Sequence, residues 1–395
     1  PEFGTSEGWK KYKLRELADR ITKKVGDNKL VTLSISAGIG FVSQAEKFSR
    51  DISGKQYCNY IYLKKGEFSY NKGNSKTFPQ GCIYELKEYD EAAVPNAFIS
   101  FRFKENLVPS FYQGYFDSNF HGKQLVRFIT SGARSDGLLN ISPTDFFSIV
   151  LPTPVKKEEQ QKIADCLSSI DDLIDAESRK LKALEKYKKG LMQKLFPAEG
   201  KTLPEWRFPE FRGKSEWRIK PLGKICTNYD SRRIPITEKD RAKGEIPYIG
   251  ASGVIDYIND FIFDEDLLCV SEDGANLVAR TYPIAFSISG KTWVNNHAHV
   301  LKFSHKYTQD IVESYLNMIN LQDFLTGMAQ PKLNRAKLDI IPIPLPEEEE
   351  QQKIAGCLSD VDTMITEKSN KVEQLKAHKK GLMQGLFPSL EEADV

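Results

Sequence analysis

Residues 160–197, QQKIADCLSSIDDLIDAESRKLKALEKYKKGLMQKLFP, return at 351–388 as QQKIAGCLSDVDTMITEKSNKVEQLKAHKKGLMQGLFP, about 22 of 38 positions being identical with no gap. No other feature constrains the fold as strongly. Apolar residues recur alternately four and three apart: Ile163, Leu167, Ile170, Ile174, Leu181, Leu184, Leu191 and Leu195, matched by Ile354, Leu358, Val361, Ile365, Val372, Leu375, Leu382 and Leu386. That spacing is a coiled-coil seam. Acids open each copy (Glu158 and Glu159; Glu347 to Glu350), and Lys188, Lys189, Lys379 and Lys380 lie toward its end, the polarity a helix dipole favours. Phe196-Pro197 and Phe387-Pro388 stop both helices at the same point, because proline cannot continue the hydrogen-bond ladder.

A helix of roughly 36 residues rises about 54 Å, more than a compact domain needs, so each copy reads as a spacer. The seam is broken at matching heptad positions, by Glu177 and Lys188 in one copy and by Lys368 and Lys379 in the other. Antiparallel helices would bring Glu177 and Lys368 together near their midpoints. Parallel helices in register would instead set Lys188 beside Lys379, where like charges repel. The antiparallel coil is therefore predicted, against the plainer arrangement in which one helix packs only on its own neighbouring domain.

With 395 residues, 40% of them hydrophobic, the chain has room for two or three globular domains. No apolar run approaches the ~18 residues of a membrane span and no leader pattern is present, so a soluble, cytoplasmic protein without membrane contact is expected. The six cysteines include no CxxC pair, which speaks against a zinc site or a disulfide framework, and the repeat-equivalent Cys166 and Cys357 read as packing residues. A net charge of +2 does not by itself announce nucleic acid; local distribution must.

The repeat extends beyond the helices. Pro1-Glu2-Phe3, Trp9 and Leu14 recur as Pro209-Glu210-Phe211, Trp217 and Leu222, between which the contents differ and the second set is shorter. In the first variable region, strands are predicted near 30–36, 59–73 and 92–103, and a helix near 109–130. Basic and hydrogen-bonding residues gather in its loops, notably Lys72, Asn74, Lys76 and, within SGARSDG, Arg134 and Ser135. In the second region, strands are predicted within 246–258, 261–275 and 282–303, and a helix near 309–326. Its candidates are Arg232, Arg233, Lys291, Lys332, Arg335 and the turn Asn295-Asn296-His297, whose amides suit base edges. A solvated polar surface carries similar residues.

Three apparent chemical motifs dissolve on inspection. AFSISGKT, 285–292, ends like a P-loop but lacks the first glycine and is followed by a strand pattern. His297 and His299 share a strand face, as two metal ligands do, with no third ligand close in sequence. Glu85-Leu86-Lys87 has the form of a nuclease tripeptide that is frequent by chance. Nothing resembles a nucleophile elbow, a cofactor loop or the Asn-Pro-Pro-aromatic tetrapeptide of adenine methyltransferases, so no catalytic residue and no metal site is expected.

Two variable domains alternating with two copies of QQKIA…GLMQ…LFP, each unit opened by PEF and a tryptophan, together with SEDGA and WVNNHAHVLKF, resemble the specificity subunit of type I restriction-modification systems along the whole chain. The resemblance implies an α+β architecture: target recognition domain 1 at 1–155, a central conserved helix at 156–197, a linker at 198–216, target recognition domain 2 at 217–345, a C-terminal conserved helix at 346–388 and a tail at 389–395. The two mixed α/β domains would be separated by an antiparallel, pseudo-twofold coiled coil. It also implies that each domain reads half of a split site in double-stranded DNA, and that two methylation subunits and two motor-nuclease subunits are partners. S-adenosylmethionine, ATP and Mg would bind only in those partners, leaving this chain a non-catalytic, DNA-binding subunit without cofactor. The competing reading is a structural adaptor whose domains bind proteins instead.

Overall fold

The structure, a computed structural model, describes residues 8–50, 54–73, 78–129, 139–327 and 330–388. The chain divides into two compact units, one formed by 1–177 with 371–395 and the other by 178–370. The division cuts across the two repeated helices, which run Lys157–Leu195 and Glu348–Leu386, 39 residues each. Each carries two or three glutamates in its first turn, where the helix dipole favours negative charge, and ends just before Phe-Pro.

In the first unit the strands are β1 (Trp9–Lys13), β2 (Ala18–Ile21), β3 (Leu33–Ser36), β4 (Gly40–Ser43), β5 (Ile61–Lys64), β6 (Phe68–Asn71), β7 (Cys82–Glu85), β8 (Glu91–Val94), β9 (Ile99–Phe103) and β10 (Val150–Pro154). A four-stranded antiparallel sheet of order β2-β9-β6-β7 is joined by the pairs β1-β10, β3-β4 and β5-β8. Helix α1 (Pro109–Asp117) buries Phe111, Tyr112, Tyr115 and Phe116 on this sheet. The core is aromatic: Phe68 stacks on Phe101, Tyr70 on Phe146 and Phe103 on Tyr112. Opposite ends of the two long helices close it, Ile163, Ala164 and Leu167 from one and Leu386 and Phe387 from the other. A Cβ placed on Gly114 would lie 2.4 Å from the Phe387 ring, so glycine is what lets α1 approach the helix pair.

In the second unit the strands are β11 (Arg218–Pro221), β12 (Thr227–Asn228), β13 (Lys243–Gly250), β14 (Gly253–Ile258), β15 (Phe263–Asp264), β16 (Leu267–Ser271), β17 (Ala285–Ile288), β18 (Lys291–Val294), β19 (Ala298–Lys302) and β20 (Pro342–Leu345). The sheet β12-β19-β16-β17 repeats the plan of the first, a second sheet has the order β14-β13-β18-β15, and β11-β20 repeats β1-β10. Helix α2 (Lys306–Met318) packs on this sheet through Ile311, Val312 and Leu316, and Leu195, Phe196, Ile354, Ala355 and Leu358 of the long helices complete the core. The predicted P-loop-like stretch lies in β17 and β18, with Gly290 at φ +69° leading into a strand.

In both units the two long helices run in opposite directions. Asp171 meets Lys379 at 2.7 Å in the first unit and Lys188 meets Asp362 at 2.5 Å in the second, contacts between repeat-equivalent residues. The predicted seam residues are buried or half-buried throughout, as are Glu177 and Lys368 respectively. The first glutamine of each QQKIA is buried and ties its helix to the adjoining domain: Gln160 bonds the Pro154 carbonyl and the Val108 amide, Gln351 the Pro346 carbonyl and the Thr308 hydroxyl. The 198–216 segment, read as a linker, is docked rather than free, because Arg207 forks onto both carboxylate oxygens of Glu350 at 2.7 Å and Phe211 is buried. Among the described residues no helix is long and apolar enough to cross a membrane.

Candidate nucleic-acid interface

In the second unit four chain segments meet at one end of β16 and β19. Leu333 donates to the Glu272 carbonyl (2.8 Å) and Gly274 to that of Pro331 (3.1 Å), which fastens 330–335 against the SEDGA segment. Asp230 reaches across from the turn after β12 and accepts from the Val300 amide at 2.9 Å. His299, on β19 and buried, bonds Asp230 through Nδ1 at 2.6 Å and the Leu333 carbonyl through Nε2 at 2.7 Å. Arg233 lies on Glu272 (2.7 Å) and on the Ala298 carbonyl (2.7 Å), and Lys332 reaches the other oxygen of Glu272 at 3.2 Å. Burial raises the Asp230 carboxyl, yet His299, the Val300 amide and Arg233 outweigh it and hold the group below the ordinary carboxylate range.

Asp230, Glu272 and His299 present ligand atoms within 4.8 Å of one another, a set compatible with a divalent cation. Positive charge for these carboxylates is already supplied by Arg233 and Lys332, and a metal ion would have to displace them. His297 points elsewhere, onto Asp273 at 2.9 Å. The two histidines thus serve different carboxylates.

The predicted contact residues fall into distinct groups. Arg233, His297, Asn295, Asn296 and Lys332 converge here. Lys332 and Asn296 are exposed at the rim. Two readings change. The Arg233 guanidinium is only 13% exposed and is taken up inside the unit, and Asn295 is buried, its side chain accepting from the His297 amide to build the turn. Arg232 is flattened over Tyr229 and Phe263 and bonds Glu265 and the Ile262 carbonyl. Lys291 lies over the Phe261 ring on β18, and Arg335 pairs with Asp339 at 3.6 Å, both apart from the cluster. Sequence reasoning missed Asp230 and Glu272: apart from Arg233, three residues on from Asp230, the partners that define the cluster lie 39 to 70 residues away and leave no local pattern.

The first unit repeats this geometry with other residues. Leu139 donates to the Lys72 carbonyl at 3.0 Å, as Leu333 does to Glu272, so lysine stands where the second unit has glutamate. Lys72 is half-buried; Asn74, Lys76, Arg134 and Ser135 lie outside the described residues. Asn71, closing β6, bonds the Ile35 carbonyl at 3.4 Å, and Ser271, closing β16, bonds that of Ala251, so both units tether the same hairpin to this corner.

The family model described as Type I restriction modification DNA specificity domain matches residues 6–186 and 214–377. A putative type I restriction enzyme specificity subunit of Haemophilus influenzae is 33% identical over 39% of each chain. A putative specificity subunit of Methanocaldococcus jannaschii is 27% identical over 72% of this chain and 68% of its own. The match thus spans well under half of the first of these relatives. Among solved structures, the S subunit of a type I restriction-modification system from M. genitalium superposes with a TM-score of 0.65 at 15% identity, covering 97% of this chain and 96% of that one, which shows a shared fold. With a repeated α+β unit, antiparallel helices and both domain matches in hand, the chain belongs to the family of type I restriction-modification DNA specificity domains.

Proposed function

We propose that this chain selects the DNA sequence for a type I restriction-modification complex, each unit reading one half of a bipartite target in double-stranded DNA. The observation that carries the reading is the corner found in both units, where one scaffold holds unlike side chains: Lys72 in one, the Glu272-centred cluster in the other. A shared frame with different contents is what two different half-sites require. Asn296, Lys332, Lys291, Arg335 and Lys72, with Asn74, Lys76, Arg134 and Ser135, provide phosphate and base-edge contacts, while Arg232, Arg233, Asn295 and His297 hold the loops that present them.

The two 39-residue helices set the gap between half-sites, since each rises about 58 Å without a break. Methylation subunits and motor-nuclease subunits assemble on this chain and bring adenine methylation, ATP-driven cleavage and the S-adenosylmethionine, ATP and Mg these need. The chain itself contributes selection and performs no chemistry.

The test is to express the chain with its methylation subunits and map modified adenines genome-wide. A split motif with a fixed unread gap is the expected result. Modification at a single continuous motif, or methyl transfer by the chain alone, would overturn the reading.

A further inference from the structure

Ile39 is 75% exposed, the most exposed large apolar side chain among the described residues. It sits in the three-residue loop between β3 and β4, where Ser36 pairs with Gly40, and its position is fixed rather than loose. Its amide bonds the Ser36 carbonyl at 3.1 Å, Gly38 at φ +80° donates to the Tyr84 hydroxyl at 2.8 Å, and Gly40 takes φ +108°. Glycines on both sides let the backbone turn tightly enough to thrust one β-branched side chain outward. The second unit exposes apolar side chains on the equivalent hairpin by another route: Val254 and Ile255 lie at the start of β14, just past the 251–252 turn, at 50% and 49% exposure, with a bulge between Tyr248 and Ile249. Residues 249–255 carry no charge, and the neighbouring Asp256 is engaged by Arg241 at 3.2 Å.

Both hairpins are tied to the corner described above, through Asn71 and Ser271. Lys47, whose ammonium bonds the Ile35 carbonyl at 2.7 Å, and Lys72 flank the first. Domains that otherwise differ in sequence thus both expose a β-branched apolar group on this hairpin, and in the first unit it stands beside basic side chains. The occupant that fits is a major groove: its floor carries one apolar group, the thymine methyl, and its rims are phosphates that the lysines neutralise.

We propose that Ile39 and Val254 each contact a thymine methyl, one in each half-site, a specificity role that rests on the DNA-reading function above. Once the target is mapped, duplexes in which each thymine in turn is replaced by deoxyuridine are titrated against the chain assembled with its methylation subunits. Replacement at one position per half-site is expected to weaken binding about fourfold, the effect of losing one buried methyl. Ile39→Ala should bind the thymine duplex about as weakly and no longer distinguish thymine from uracil at its position, and Val254→Ala should do so in the other half. Both variants keep the wild-type melting temperature, since neither side chain is buried. Variants that discriminate as the wild type does, or a target with no uracil-sensitive position, would overturn this assignment alone. Absence of any selective duplex binding would remove the functional reading as well.

Discussion

At the scale of single residues, the second unit sets a buried charge cluster against a few exposed donors, and the two kinds of residue should respond differently to substitution. Asp230 is held ionised by His299, the Val300 amide and Arg233 against the cost of burial. A carboxyl depressed by folding contributes stability that is present above its unfolded value, about 3.9, and is lost as pH falls through the lower folded value. Melting temperature should therefore fall steeply below about pH 4, and Asp230→Asn should flatten that acid limb while costing about 1–3 kcal/mol at neutral pH. Thermal melts across pH check both. Arg233→Met leaves Glu272 and Asp230 without their inner cation and should cost about 3–5 kcal/mol. Lys332→Ala removes only the exposed partner of Glu272, so it should cost no more than about 1 kcal/mol while lowering the salt dependence of duplex binding by about one ion. The sequence exposed the donors but hid the cluster. Asn295-Asn296-His297 stood out as a polar turn, and only the structure separates Asn295, which builds the turn, from Asn296, which it displays.

At the scale of elements, periodicity carried most of the information. The four-three apolar spacing fixed both long helices to within a few residues, and short β-branched and aromatic runs marked many of the strands, though β1, β2, β4, β7, β10, β11, β12 and β20 lay outside them. What could not be read was the pairing between elements. Asp171 and Asp362 lie off the seam, so nothing local marked them as the partners of Lys379 and Lys188. The 198–216 segment looked like a linker because its prolines and charges resemble one; Arg207 on Glu350 is a contact across 143 residues. Glycines in helices divide by surroundings. Gly114→Ala would drive a methyl into Phe387 and should destabilise the first unit by about 1–3 kcal/mol. Gly190→Ala and Gly381→Ala, with open space around them, should each stabilise by about 0.5–1 kcal/mol. Chemical denaturation of the three variants distinguishes the cases.

At the scale of the whole molecule, the duplication explains why the family was legible from sequence while the interface was not. Repeated helices, strand frame and anchoring glutamines conserve the scaffold within the chain, whereas the loops at the reading corner share no pattern from one unit to the other. If the helices measure the gap between half-sites, one heptad added to each should lengthen that gap by about three base pairs, from about 10.5 Å of rise. Methylation-site mapping of such a variant, with an unchanged gap as the contrary outcome, checks this. The first unit's use of residues 371–388 bears on synthesis. Leu386 and Phe387 complete a core begun at Trp9, so the first unit cannot finish folding until residue 387 has left the ribosome. A nascent product truncated before residue 371 would leave Phe111, Tyr115 and Leu167 uncovered and prone to aggregate, and quality control would see the earlier-made of the two units as the faulty one.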